Sequence, residues 1–179
     1  MGLEILVADD EALIRLGLRA MLEEMGHRVT LAPDGREALR LARQRGFDLA
    51  ILDIKMPRTD GLAVAQALSR HTPLPVIFLT AYSETDLVEQ ATDLPVHGYL
   101  VKPVQPEQLA AAIAVARKRF AETQAAEREA AERRLVERAK GRLMAEGMTE
   151  PEAHRTLQQR ARESRRSMSA VAQEILDAA

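Results

Sequence analysis

Cysteine and tryptophan are absent from the 179-residue chain, and two tyrosines and three phenylalanines make up its entire aromatic content. Without cysteine there is no disulfide and no thiolate metal site, which fits a reducing compartment. With so few rings the core must be aliphatic, and the 46% of residues that are hydrophobic supply it. No apolar run is long enough to cross a bilayer, and Met1-Gly2-Leu3-Glu4 has no basic segment ahead of an apolar one, so the chain reads as cytoplasmic with no membrane partner. After Phe120 the nearest thing to an aromatic side chain is His154. Whatever the last third recognises, it does so without stacking on Phe, Tyr or Trp.

Charge is distributed unevenly. Residues 1–106 hold 11 basic and 15 acidic side chains, a balance of -4, and the remainder holds 14 and 12, a balance of +2, which together give the net -2. From Arg138 to Arg166 there are 8 basic against 4 acidic residues, a modest basic stretch suited to phosphates.

In the first half, short apolar runs end on polar residues and alternate with helical patterns. Glu4 to Ala8 is followed by Asp9-Asp10; Leu13, Leu16, Ala20 and Met21 then recur at helical spacing up to Gly26. His27 to Leu31 reads as a second strand. Asp34-Gly35-Arg36-Glu37 has the form of a capping box before Ala38, Leu39 and Ala42. The run Leu49 to Asp53 is apolar throughout and ends on a carboxylate before Met56-Pro57, as expected of a parallel strand covered on both faces. Asp60-Gly61 opens a helix through Leu68, Val76 to Leu79 leads to Thr80, Ser83 caps a further helix, and Tyr99 to Val101 leads to Lys102-Pro103. Five strands alternating with helices imply right-handed crossovers and an α/β parallel sheet with helices on both faces.

In such sheets the carboxyl edge is where ligands bind, and here it collects Asp9, Asp10, Asp53, Thr80 and Lys102. Carboxylates so close repel one another and require a cation. An oxygen-only ligand set points to Mg²⁺. A cation, the Lys102 ammonium and the Thr80 hydroxyl around one acid form a receptor for a phosphoryl group, with Asp53 as the nucleophile that accepts it.

On these residues, with Tyr99 and the Ala81 after Thr80, the chain resembles the receiver domain of two-component response regulators over about residues 2–120. The resemblance implies a flavodoxin-like five-stranded sheet of order 2-1-3-4-5 and a sensor histidine kinase as phosphodonor, with Asp53 as phosphoacceptor. Asp10, Asp53 and the Lys55 backbone carbonyl would ligate Mg²⁺, with Asp9 assisting through water. Thr80 and Tyr99 would be a switch pair, Lys102 would bind a phosphoryl oxygen, and Lys102-Pro103 would be cis. Val104 departs from the Phe common in that family.

From Glu107 a stripe of Leu109, Ala112, Ile113, Ala116 and Phe120 passes into an Ala, Glu and Arg composition that supports one long helix, about 107–147. Its seam is weak, yet a helix with so few large apolar residues calls for a partner, so a homodimer through it is one expectation and a solvated linker the other. Thr149-Glu150-Pro151-Glu152 is a second capping box, before Ala153, Leu157 and Ala161, and Ser167 can cap a helix carrying Met168, Val171, Ala172, Ile175 and Leu176. With Leu135, Ala139 and Leu143, and with Met144 and Met148, these faces predict a small all-α three-helix core. The expected division is a receiver over 1–120 and a helical domain over 121–179.

Ala139-Lys140-Gly141, Leu143-Met144, Ala153, Leu157, Ala161 and Val171-Ala172 resemble the ANTAR domain of transcription antitermination regulators. That resemblance implies binding to paired RNA hairpins in transcript leaders, through Lys140, Arg160, Arg165 and Arg166, with His154 where the family often has Tyr. The leading expectation is therefore a non-enzymatic, phosphorylation-controlled antitermination regulator. Two other readings stand beside it: a dimerisation or protein-docking tail without RNA, and an aspartyl-phosphate hydrolase, against which the mid-sheet position of Asp53 speaks. DNA is a poor partner, because the last helix carries Glu174 and Asp177 and no basic residue.

Overall fold

The computed structural model of the chain describes residues 2–81 and 96–178; the helix expected after Ser83 lies outside the described residues. Two compact units are present, Met1–Ala121 and Glu122–Ala179.

The first unit is a five-stranded parallel sheet in the order β2-β1-β3-β4-β5. Its strands are β1 (Glu4–Ala8), β2 (Arg28–Ala32), β3 (Leu49–Asp53), β4 (Val76–Thr80) and β5 (Gly98–Val101). The helices are α1 (Ala12–Glu24), α2 (Gly35–Gln44), α3 (Gly61–His71) and the first part of α4 (Pro106–Ala145). Alternate residues of one strand feed opposite cores: Leu6, Ala50, Leu52 and Phe78 pack with Ala38, Ala42, Val64 and Leu68, while Ile5, Val7, Ile51 and Ile77 pack with Leu18, Leu22, Leu109 and Ile113. Both faces being covered, the central strands can be apolar without alternation.

Caps stand where the sequence placed them. Asp34 accepts from the Glu37 N–H at 2.9 Å and Asp60 from the Ala63 N–H at 2.8 Å, each satisfying a donor that the first helical turn leaves without a partner. His97 joins β4 to its neighbour: its N–H donates to the Val76 carbonyl, its Nδ1 accepts from the Val76 N–H at 3.2 Å, and its ring meets Phe120 edge-on at 5.2 Å. Burial, and then the nearby Arg119, lowers its pKa and keeps the ring neutral for this acceptor role.

The structure corrects the expected buried face of α1. Leu13 is 84% and Leu16 55% exposed, and Ala20 is exposed as well. The buried stripe is Leu18 and Leu22, flanked by Ile14, Met21 and Met25. Apolar residues occur on two sides of this helix, and the side at spacings of four, three and four residues from Ile14 to Met25 is the one that meets the sheet.

In the second unit the end of α4 packs with α5 (Glu150–Ser164) and α6 (Met168–Asp177). Ala139, Leu143, Ala153, Leu157, Ala161, Val171 and Ala172 form its core, with Leu135, Met148, Ile175 and Leu176 at the edge. Met144 is 44% exposed and lies outside that core: one residue beyond Leu143, it is rotated about 100° away from the packed stripe. At the start of α5 the Glu152 carboxylate accepts from the Thr149 N–H at 2.8 Å and the Thr149 hydroxyl at 2.6 Å, and Ser167 caps α6 through the Ala170 N–H.

Leu18→Ala should lower unfolding stability by about 2–4 kcal/mol in urea melts, whereas Leu13→Ala should change it by less than about 0.5 kcal/mol. A larger loss for Leu13→Ala than for Leu18→Ala would mean that the helix is seated in the other phase.

Candidate functional site

Adjacent strands β1 and β3 bring their carboxyl ends together, so Asp9 and Asp10 meet Asp53, and one carboxylate oxygen from each lies within 4.8 Å of the others. Asp9 and Asp53 are buried and Asp10 is exposed. From the end of β5, Lys102 extends its ammonium to 2.8 Å from Asp9 Oδ2 and 3.1 Å from Asp53 Oδ1. The peptide joining Lys102 to Pro103 is cis. Thr80, ending β4, is buried and its hydroxyl donates to the Ala81 carbonyl at 3.1 Å. Tyr99 lies on β5 beside Phe78 and is exposed, and Lys55 follows β3 on the exposed side of the turn.

The start of α3 presses against the same strand end. A Cβ added to Gly61 would fall 2.2 Å from the Asp53 carbonyl oxygen, so a side chain here would push the helix off the site. Two residues not singled out from the sequence also belong to this edge. Arg15 donates to the Asp9 carbonyl at 2.6 Å, and Glu11, whose N–H donates to Asp9 Oδ1 at 2.8 Å, brings a carboxylate 3.8 Å from Lys102. Their sequence signal was only that they open the helix following the acidic pair.

Burial pushes the Asp53 carboxyl up from 3.8 to about 6; the hydrogen bond and charge of Lys102 oppose this, and the charges of Asp9 and Asp10 add to it. The Lys102 pKa is raised: burial opposes the charge, and the hydrogen bonds and charges of Asp9 and Asp53 overcome it. Asp9 Oδ2 is fully buried and has no directed hydrogen bond, the Lys102 contact being an ion pair without that alignment. A cluster of three acids around a single ammonium fits a hard divalent cation.

In the second unit Arg160, Arg162 and Arg165 are exposed. Arg162, Arg165 and Arg166 line a groove with Gln158, Ala161 and Met168; Arg162 was not anticipated from the sequence. Arg165 ends α5 in a left-handed conformation, φ 53°. Arg166 is paired with Glu174 at 2.6 Å. Lys140 departs from its expected place among these contacts. It is buried, with its ammonium 3.1 Å from Glu137 on its own helix and 2.8 Å from Glu150, the ion pair that ties α4 to α5.

Residues 5–114 match the model of the response regulator receiver domain and residues 124–176 that of the ANTAR domain. The transcriptional regulatory protein PdtaR of Mycobacterium tuberculosis is 44% identical over 182 residues, covering 97% of this chain and 89% of that protein. The probable transcriptional regulator ycf27 of Galdieria sulphuraria is 38% identical over 116 residues, 65% of this chain and 46% of that one. A receiver domain protein from Clostridium thermocellum superposes with a TM-score of 0.59 at 32% identity over 66% of this chain and 96% of its own. The chemotaxis protein CheY4 of Vibrio cholerae gives 0.60 at 30% identity over 65% and 99%.

A folded-state pKa above the unfolded value means that ionised Asp53 destabilises the metal-free fold, a loss that grows as pH rises from about 4 to about 6 and then levels off. Without divalent cations, Asp53→Asn should therefore be more stable than wild type by about 1–3 kcal/mol at neutral pH, with the gap closing near pH 4. Added Mg²⁺ should raise the melting temperature of wild type more than that of the variant; a constant gap across pH would refute the burial effect.

Proposed function

The chain belongs to the response regulators, with a receiver followed by an ANTAR output domain, and from that premise we propose that it couples phosphorylation of Asp53 by a sensor histidine kinase to RNA binding that favours an antiterminated transcript. The observation that carries the first part is a buried mid-sheet carboxylate with an ammonium at 3.1 Å and two further acids beside it.

At neutral pH the Asp53 carboxyl, at about 6, is mostly ionised and able to act as a nucleophile. One of its oxygens attacks the phosphorus of a phosphoimidazole; the new O–P bond forms as the P–N bond breaks, and the electron pair leaves with the ring nitrogen. Lys102, already in place, neutralises the incoming phosphoryl oxygens, and the Thr80 hydroxyl turns from the Ala81 carbonyl to donate to one of them. Asp10, Asp53 and the Lys55 carbonyl, with Asp9 beside them, would hold a Mg²⁺ ion, which would supply further charge neutralisation there. Tyr99 then follows Thr80 as the second switch residue.

For the tail, Arg160, Arg162, Arg165 and Arg166 meet RNA phosphates while Lys140 holds the helices beneath them. Guanidinium groups suit this role, because their planar fork binds phosphate in bidentate fashion. A loop base can stack on an arginine plane where aromatic rings are lacking.

Acetyl phosphate with Mg²⁺ should add the mass of one phosphoryl group to wild type and none to Asp53→Asn; labelling of another side chain would refute the assignment. Arg162→Ala with Arg165→Ala should weaken binding to a two-hairpin leader RNA and make its salt dependence shallower by about 1–1.5 in the log–log slope. Unchanged recovery of RNA would instead favour a tail that serves dimerisation or protein docking.

A further inference from the structure

Arg36, Arg40 and Arg43 follow one another at intervals of four and three residues on α2. Their Cα atoms are thus about 6 Å and about 4.5 Å apart along the axis, on one face of the helix. All three are exposed. Arg58, in left-handed backbone at φ 71°, joins them around a groove of about 850 Å³ that Pro33 and Leu39 also line.

Two carboxylates reach into this groove, and both are engaged: Glu37 holds Arg40, and Asp34 holds Arg58. Among the described residues neither Arg36 nor Arg43 has an ion pair. The residues lining the groove thus carry four basic and two acidic side chains, on a segment, 1–106, whose balance is -4. A local concentration of arginine on an otherwise acidic unit is a directed feature of the surface rather than a general one.

An acidic protein and a nucleic acid both match that charge, and the groove's apolar content decides between them. Stable protein interfaces centre on aromatic, large apolar or arginine anchors seated in packed, desolvated pockets, whereas the arginines of this groove are exposed. Among the described residues the large exposed hydrophobic ones are Leu13, Leu16, Tyr99, Val101, Val115 and Met144, and none of them lines the groove. A phosphate backbone needs no such anchor, only positive charges repeated every few ångströms, and the arginine fork suits it better than lysine would.

We propose that the exposed face of α2 is a second phosphate-backbone contact for RNA, made by Arg36 and Arg43 and lying outside the ANTAR domain. This rests on the reading that the ANTAR domain binds RNA.

The test uses the full chain and a leader RNA carrying two stem-loops, with affinity measured by fluorescence anisotropy over a salt series. Compared are wild type, Arg36→Gln with Arg43→Gln, and a control of equal charge change, Arg19→Gln with Arg70→Gln. The α2 variant should bind about tenfold more weakly at low salt, with a log–log salt slope shallower by about 1–1.5. It should keep the wild-type melting temperature, and the control should keep the wild-type slope. Equal slopes for the α2 variant and wild type, or the same change in the control, would overturn the α2 contact while leaving binding through Arg162 and Arg165 intact. Absence of wild-type binding even at low salt would instead remove the RNA reading on which the contact rests.

Discussion

The Lys102 ammonium stands between Asp9 and Asp53, and the carboxyl edge of the sheet depends on it. Three aspartates whose oxygens approach within 4.8 Å repel by about 3 kcal/mol per pair at an effective dielectric near 20. Two of them are buried, which adds a desolvation cost that close geometry must offset. One lysine does not complete the compensation: the Asp53 pKa still rises, and a buried Asp9 oxygen still lacks a directed hydrogen bond. The edge is left short of positive charge, a condition that a divalent cation or an altered charge at Asp53 would relieve.

Strand order turns this electrostatic problem into a site. Because β1 lies between β2 and β3 and the chain passes on to β4 and β5, residues distant in sequence end on one edge in the order acid, acid, hydroxyl, ammonium. The helix that follows Asp53 comes close enough that Gly61 has no room for a side chain, and Asp60 closes its first turn. The residue pattern around the site is therefore partly chemistry and partly clearance: the aspartates and lysine supply charge, and the glycine lets the backbone come near.

Much of this was legible in the sequence because a parallel strand has a short, unambiguous signature and its last residue must face the edge. Asp53, Asp9 and Lys102 could be placed without knowing a single distance. The phase of α1 could not. Leu13 and Leu16 are as apolar as Leu18 and Leu22, and only the ridge offered by Ile5 and Val7 on the sheet selects between them. Met144 failed for a similar reason, since adjacency to Leu143 in sequence places it on a different side of the helix. Lys140 shows the limit for charged residues. A basic residue in a basic stretch looks available to phosphate, but whether it is depends on carboxylates ten residues away and three residues before it, Glu150 and Glu137. Arg162 carries no mark in the sequence; only the built fold sets it in one groove with Arg165 and Arg166.

The proposed coupling can be bounded from the same interactions. Charge-assisted hydrogen bonds from Thr80 and Lys102 to a phosphoryl group contribute about 1.5–3 kcal/mol each, and Lys102 gives up part of its present pairing with Asp53 to make one of them. A reversal from 1:99 to 99:1 needs about 5.5 kcal/mol, so these bonds bias an equilibrium and do not throw it from one end to the other. Helix α4 carries Leu109 and Ile113 in the core of the first unit and Ala139 and Leu143 in the core of the second, so each unit contributes to the stability of that one helix. A bias of a few kcal/mol in the receiver is sufficient under these conditions, because a second event, RNA binding or association of two chains, draws the favoured state onward by mass action.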